Sequence, residues 1–194
     1  MTRVTVLKAD TYRRMPWKNG GGETVEIAVS PEGAALSDFY WRISMATVAV
    51  DGPFSIFPGI DRTLSILDGN GMSLAINGAA PVLLTQGDDP LTFPADVAVS
   101  ATLADGEITD LNVMTRRGSL RHRVERVDVN GTSMRQVVAS TWLALCGHGD
   151  VVLEYDGNHA ALGPCDAFLL EGGEGAMVSL SGQAPCYLIS IEGA

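Results

Sequence analysis

Apolar and polar residues alternate with a period of two along most of this chain, in short runs closed by glycine, proline or Asn/Asp-Gly turns. That period places successive side chains on opposite faces of an extended strand, and helical spacing is nearly absent. The pattern predicts strands over Arg3–Ala9, Thr24–Val29, Tyr40–Val50, Arg62–Leu67, Met72–Ile76, Leu91–Phe93, Val97–Leu103 and Asp110–Thr115. After a charged connection it predicts Arg121–Val127, Met134–Ala144, Gly149–Glu154, Ala167–Leu170, Met177–Ser181 and Pro185–Ile191. Asn77-Gly78, Asn130-Gly131 and Asp156-Gly157-Asn158 are among the turns between them. So many short strands without helices between them imply an all-β sandwich or barrel.

The pattern also repeats. LSILDGNGMSLAI (64–76) and LALCGHGDVVLEY (143–155) both read strand, glycine turn, strand. PLTFPADVAVSATL and CDAFLLEGGEGAMVSL follow them with similar grammar. Two copies of one antiparallel unit are expected, with the boundary near residues 117–130.

Apolar residues make up 46% of the 194, enough for a substantial core. The net charge of −10 argues against a nucleic-acid partner. A basic cluster, Arg116, Arg117, Arg121, Arg123 and Arg126, is diluted by Glu125 and Asp128 and lacks interleaved aromatics. It reads as a solvated strand edge or an internal ion-pair network, with contact to an acidic partner surface as the alternative. The first residues are too polar for a signal peptide, and no apolar run is long enough to span a membrane. Cys146, Cys165 and Cys186 are odd in number and widely spaced, so the cytoplasm is the expected compartment.

Catalytic signatures are sparse. A cupin-type metal site needs His-x-His on one strand, then a Glu and a later His, whereas His122, His148 and His159 are scattered. No metal or other cofactor is therefore expected. Cys146 and His148 lie beside a turn without a third, orienting group. Polar residues inside apolar strands say more. Alternation puts Arg42, Ser44 and Ala46 on one face, and Asp110, Asn112, Met114 and Arg116 on another. Small and soft side chains beside a guanidinium and an amide suit a pocket wall, and arginine matches a carboxylate with two parallel donors. The plainer reading of Arg42 is an ion pair with Asp38, Asp61 or Asp110. Phe54 and Phe57, on a proline-stiffened loop, suit either core plugs at a barrel rim or an apolar lid. In MPWKNGGGET the lysine precedes the glycines, which excludes a phosphate loop. A hairpin turn and a backbone wall for a small ligand both remain open there.

Four blocks, WKNGGGET, DFYWRIS, GPFSIFPGIDRTL and DLNVMTRRG, in this order and spacing over residues 3–118, closely resemble the HutD/Ves family of bacterial cytoplasmic proteins. Tyr40, in the second block, departs from the acidic or small polar residue expected there. The resemblance implies a bicupin, two double-stranded β-helix barrels in one chain, without the metal ligands of enzymatic cupins. The barrels would span residues 1–118, bearing the pocket, and 119–194, with strand exchange between them allowed. It also implies a regulatory role in histidine utilisation through binding of a small metabolite, with urocanate and N-formylglutamate as candidates; a related branch is linked to cold and stress response. Carried over by position, the site comprises Trp17, Lys18, Asn19, Thr24, Arg42, Phe54, Phe57, Arg62, Asn112, Met114 and Arg116, and the strand reading adds Ser44. Lys18 and Asn19 would join Arg42 on a carboxylate, with Trp17 or Phe54 covering it. The alternative is an uncharacterised lyase, isomerase or hydrolase using Lys18, Arg42 and Arg62. A homodimer through a sheet edge is compatible with this pattern.

Overall fold

A computed structural model describes residues 1–194. The first half contains β1 (Arg3–Leu7), a short 3-10 turn (Ala9–Thr11), β2 (Arg13–Pro16), β3 (Gly22–Ser30), β4 (Trp41–Val48), β5 (Gly52–Pro53) and β6 (Ile60–Asp68). It continues with β7 (Met72–Ile76), β8 (Val82–Leu84), β9 (Leu91–Pro94), β10 (Val99–Leu103) and β11 (Ile108–Arg116). The rest is β12 (Leu120–Gln136), β13 (Thr141–Cys146), β14 (Asp150–Tyr155), β15 (Asn158–Leu162), β16 (Ala167–Glu171) and β17 (Met177–Gly193). All the paired strands with a defined register run antiparallel, as the alternating pattern requires.

The chain divides into two compact units. One comprises residues 13–121. It holds a sheet in the order β2-β3-β4-β11-β6-β9 and a smaller one in the order β5-β10-β7-β8. Leu64, Ile66, Met72, Leu74, Val99 and Ile108 form its main core cluster. The other comprises residues 122–193 together with residues 1–12. Its sheet runs β1-β16-β13-β17-β14-β15, and β12 also pairs with β17. Val129, Trp142, Leu153, Phe168, Leu180 and Leu188 lie in its core.

This division differs from a cut at residues 118 and 119. β1 lies with the C-terminal unit because Val4, Thr5 and Val6 stand opposite Leu170, Leu169 and Phe168 of β16. Beyond the strand, Asp166 accepts hydrogen bonds from Lys8 Nζ, from the Ala9 amide at 2.8 Å and from the Gly163 amide at 3.0 Å. Two of the expected breaks are also absent. β12 runs through Asn130-Gly131, and β17 runs through Pro185. Gly131 takes a φ of +90° inside its strand, and the Thr132 and Ser181 hydroxyls meet at 2.9 Å just beyond it. Here glycine makes an irregularity inside a long strand instead of a hairpin.

Candidate functional site

Three neighbouring strands, β4, β11 and β6, build the floor of a cavity of about 670 Å³ in the unit formed by residues 13–121. Their inner positions are buried on both faces, so the polar residues among them are interior groups. Arg42 is 4% exposed, Ser44 2%, Arg62 6% and Asn112 8%. Register decides which side chains meet. Met114 on the central strand stands opposite Arg42 on β4 and opposite Arg62 on β6. Asn112 is likewise flanked by Ser44 and Leu64, and Asp110 by Ala46 and Ile66.

The two arginines differ in what holds them. Arg42 Nε donates to Glu26 Oε2 at 2.8 Å, and its NH1 reaches Ser44 Oγ at 3.4 Å. Its counter-ion is Glu26 on β3, none of Asp38, Asp61 or Asp110. Arg62 makes no ion pair. Its NH2 contacts Met114 Sδ at 3.6 Å, and its Nε, buried, has no hydrogen-bond partner. The guanidinium carbon lies 5.4 Å from the Phe54 ring centroid and 5.2 Å from that of Phe57. These rings supply quadrupole attraction but no hydrogen-bond acceptor. Burial lowers the Arg62 pKa to about 10, against the opposing pull of Asp110, and Arg42 lowers it further. Desolvation likewise pushes Asp110 up to about 7, against Arg62 and hydrogen bonds from the Ala46 amide and the Asn112 side chain. Asn112 Nδ2 donates to Asp110 Oδ1.

The turn between β2 and β3 forms the cavity wall. Trp17 N–H bonds Gly22 O at 2.9 Å, Gly20 N–H bonds Trp17 O at 3.0 Å, and the Gly21 amide donates to Asn19 Oδ1 at 2.9 Å. Gly20 needs its glycine for a φ of +72°. Gly22 needs it for space, since a Cβ there would overlap Thr47 O and lie 2.9 Å from the Trp17 ring. The indole is fixed in turn by Nε1 donating to Thr24 Oγ1 at 2.8 Å. Turn and wall are thus one structure. Lys18, at the cavity rim, has no ion pair, leaving its ammonium free.

Trp17, Lys18, Asn19, Thr24, Arg42, Ser44, Phe54, Phe57, Arg62, Asn112 and Met114 all border this one cavity. Arg116 does not. Its NH2 donates to Phe39 O at 2.9 Å and Ser37 O at 3.4 Å, holding the loop before β4. The neighbouring Arg117 bridges Asp61 at 2.7 Å and Asp96 at 2.8 Å, which fixes the entry to β6. Met15, Leu36 and Ser55 also border the cavity; strand alternation says nothing about the loops that carry Leu36 and Ser55, and β2, which carries Met15, has no alternation to read. It also left out Glu26, two residues from Thr24 on β3 and the group that neutralises Arg42. His122, His148 and His159 lie in the other unit's segments, and no three His, Cys, Asp or Glu side chains converge in a metal-binding cluster.

Two antiparallel β units in one chain, one enclosing a side-chain-lined cavity among its strands, define a bicupin. Salicylate 1,2-dioxygenase from Pseudoaminobacter salicylatoxidans shares this fold over 97% of the chain and 81% of its own, with a TM-score of 0.64 at 9% identity. The chain belongs to the HutD family, whose model matches residues 9–188. It is 36% identical over 177 residues to an uncharacterised 21.2 kDa protein of Pseudomonas putida from the hutC 3' region, covering 90% of each chain. Protein Ves of Citrobacter koseri is 41% identical over 121 residues, 60% of this chain and 61% of that one. The solved HutD of Pseudomonas fluorescens SBW25 superimposes with a TM-score of 0.85 at 33% identity, covering 99% of this chain and 100% of its own. The family is associated with histidine utilisation. No helix is long and apolar enough to cross a membrane.

Proposed function

We propose that this protein binds a small carboxylate metabolite in the cavity between β4, β11 and β6 and thereby moderates histidine utilisation. Arg62 carries the proposal. A buried guanidinium without an ion pair, with an unsatisfied Nε and aromatic neighbours, has unmet capacity for an anion. Lys18 at the rim adds a second free cation, while Glu26 already neutralises Arg42. The cavity volume suits a metabolite of modest size. Family membership directs attention to pathway intermediates, with urocanate and N-formylglutamate first among them.

Proton NMR of a mixture of small carboxylates containing both, without added metal, tests this reading. Saturation transfer to one member with unchanged peaks over a day is the expected result, and Arg62→Met should weaken that binding roughly thirty-fold or more. New product peaks would replace binding by catalysis. Absence of transfer to any member would overturn the carboxylate reading.

A further inference from the structure

Asp110 is 1% exposed, deep in the pocket-bearing unit, and no cation touches it. Its bonds come from the Ala46 amide and from Asn112, whose side chain also borders the cavity. Opposite charges thus share one interior region without contact: Arg62 at the cavity, Asp110 behind Asn112. The other charged groups facing this region are Arg42 on β4, already paired with Glu26 on β3, and Lys18 at the rim. Asp68, at the far end of β6, is exposed. The other sheet of this unit adds apolar core residues, among them Leu74 on β7 and Val99 on β10.

We propose, building on the carboxylate-binding reading, that Asp110 is the internal counter-ion of the empty pocket and that binding of a carboxylate at Arg62 drives uptake of one proton by Asp110. Charge balance in a low-dielectric interior requires it. In the empty pocket, Arg62 is the only cation that favours ionised Asp110 at a distance. A ligand carboxylate neutralises that cation and adds a negative charge of its own. Both effects favour the protonated acid. Because burial already brings Asp110 to about 7, the exchange falls within the physiological range. By linkage, ligand affinity is independent of pH below that value and falls as pH rises above it, by up to about tenfold per unit. Asn112 joins the two sites, with one end of the pair at the cavity and the other on the acid.

Calorimetric titration with trans-cinnamate and with N-formyl-L-glutamate tests this, since neither probe titrates between about pH 6 and 8.5. Measurements near pH 8 in buffers of different ionisation enthalpy count the protons. About one proton should be taken up per carboxylate bound, and near pH 6 the count should approach zero. Asp110→Asn should bind with no proton uptake and equal affinity at both pH values. Should that variant not fold, carbon NMR of the wild-type Asp110 carboxyl gives the same answer, with its midpoint rising by at least about two units on saturation. Wild-type binding near pH 8 without proton uptake, or an Asp110 midpoint unmoved by ligand, would overturn this inference alone. Failure of both probes to bind near pH 6, where Arg62 is unopposed, would overturn it together with the carboxylate reading.

Discussion

Arg42 and Arg62 flank the same methionine, yet substitution should affect them in opposite ways. Arg62→Met removes a charge that nothing neutralises directly, so the fold should persist while carboxylate binding is lost. Arg42→Ala instead leaves Glu26 as a mostly buried carboxylate without its partner. That costs roughly 3–5 kcal/mol, readable in urea unfolding, and binding loss in this variant would follow from disorder of the floor. Asp110 makes a pH prediction of its own. Its folded pKa lies above the unfolded value of about 4, so the native state retains a proton that the unfolded state has released. Stability from this group is therefore present in acid, falls as pH rises from about 4 to about 7, and is flat above. Asp110→Asn should lack that fall, as thermal unfolding at several pH values will reveal. Alternation alone puts Asp110 beside Asn112 and Met114, but not inside: the same period describes a solvated face. Only the second covering layer distinguishes them, and that layer is made by residues far along the chain.

The turn between β2 and β3 shows how backbone geometry sets a wall. Gly22→Ala should destabilise the pocket-bearing unit by roughly 1–3 kcal/mol, because its Cβ meets the Thr47 carbonyl as well as the hydrogen-bonded Trp17 ring. Thermal unfolding will measure that cost, and the Trp17 fluorescence will report the displaced indole. Gly20→Asn should be milder, since the surroundings there are open and asparagine tolerates a positive φ. The long strands with strict alternation, such as β4, β6 and β11, were legible within a residue or two at each end. Among the short strands, Met72–Ile76 and Leu91–Pro94 were legible too. Arg13–Pro16, Val82–Leu84 and Asn158–Leu162 were not: they carry no apolar–polar alternation, and their pairing supplies the order instead. Asn130-Gly131 fails for the opposite reason: its turn propensity is real, but continuous pairing to β17 overrides it.

The repeat in the sequence implies two units in succession, whereas the chain passes through its two compact units in a different order. The N-terminal segment completes the unit that the C-terminal half builds. Tyr12 helps to hold it, with its hydroxyl donating to Cys165 O at 2.9 Å, and burial raises its pKa well above the ordinary phenol value. Deleting residues 1–12 should therefore expose β16 along its edge, and hydrogen exchange should quicken across Ala167–Glu171. During synthesis the same arrangement imposes a delay. Arg3–Leu7 is made before its partner Ala167–Glu171, which follows about 160 residues later. At typical translation rates that interval is on the order of ten to thirty seconds. For all that time the backbone donors and acceptors of this nascent strand lack their native partner, so the segment needs shielding by a chaperone until β16 is made.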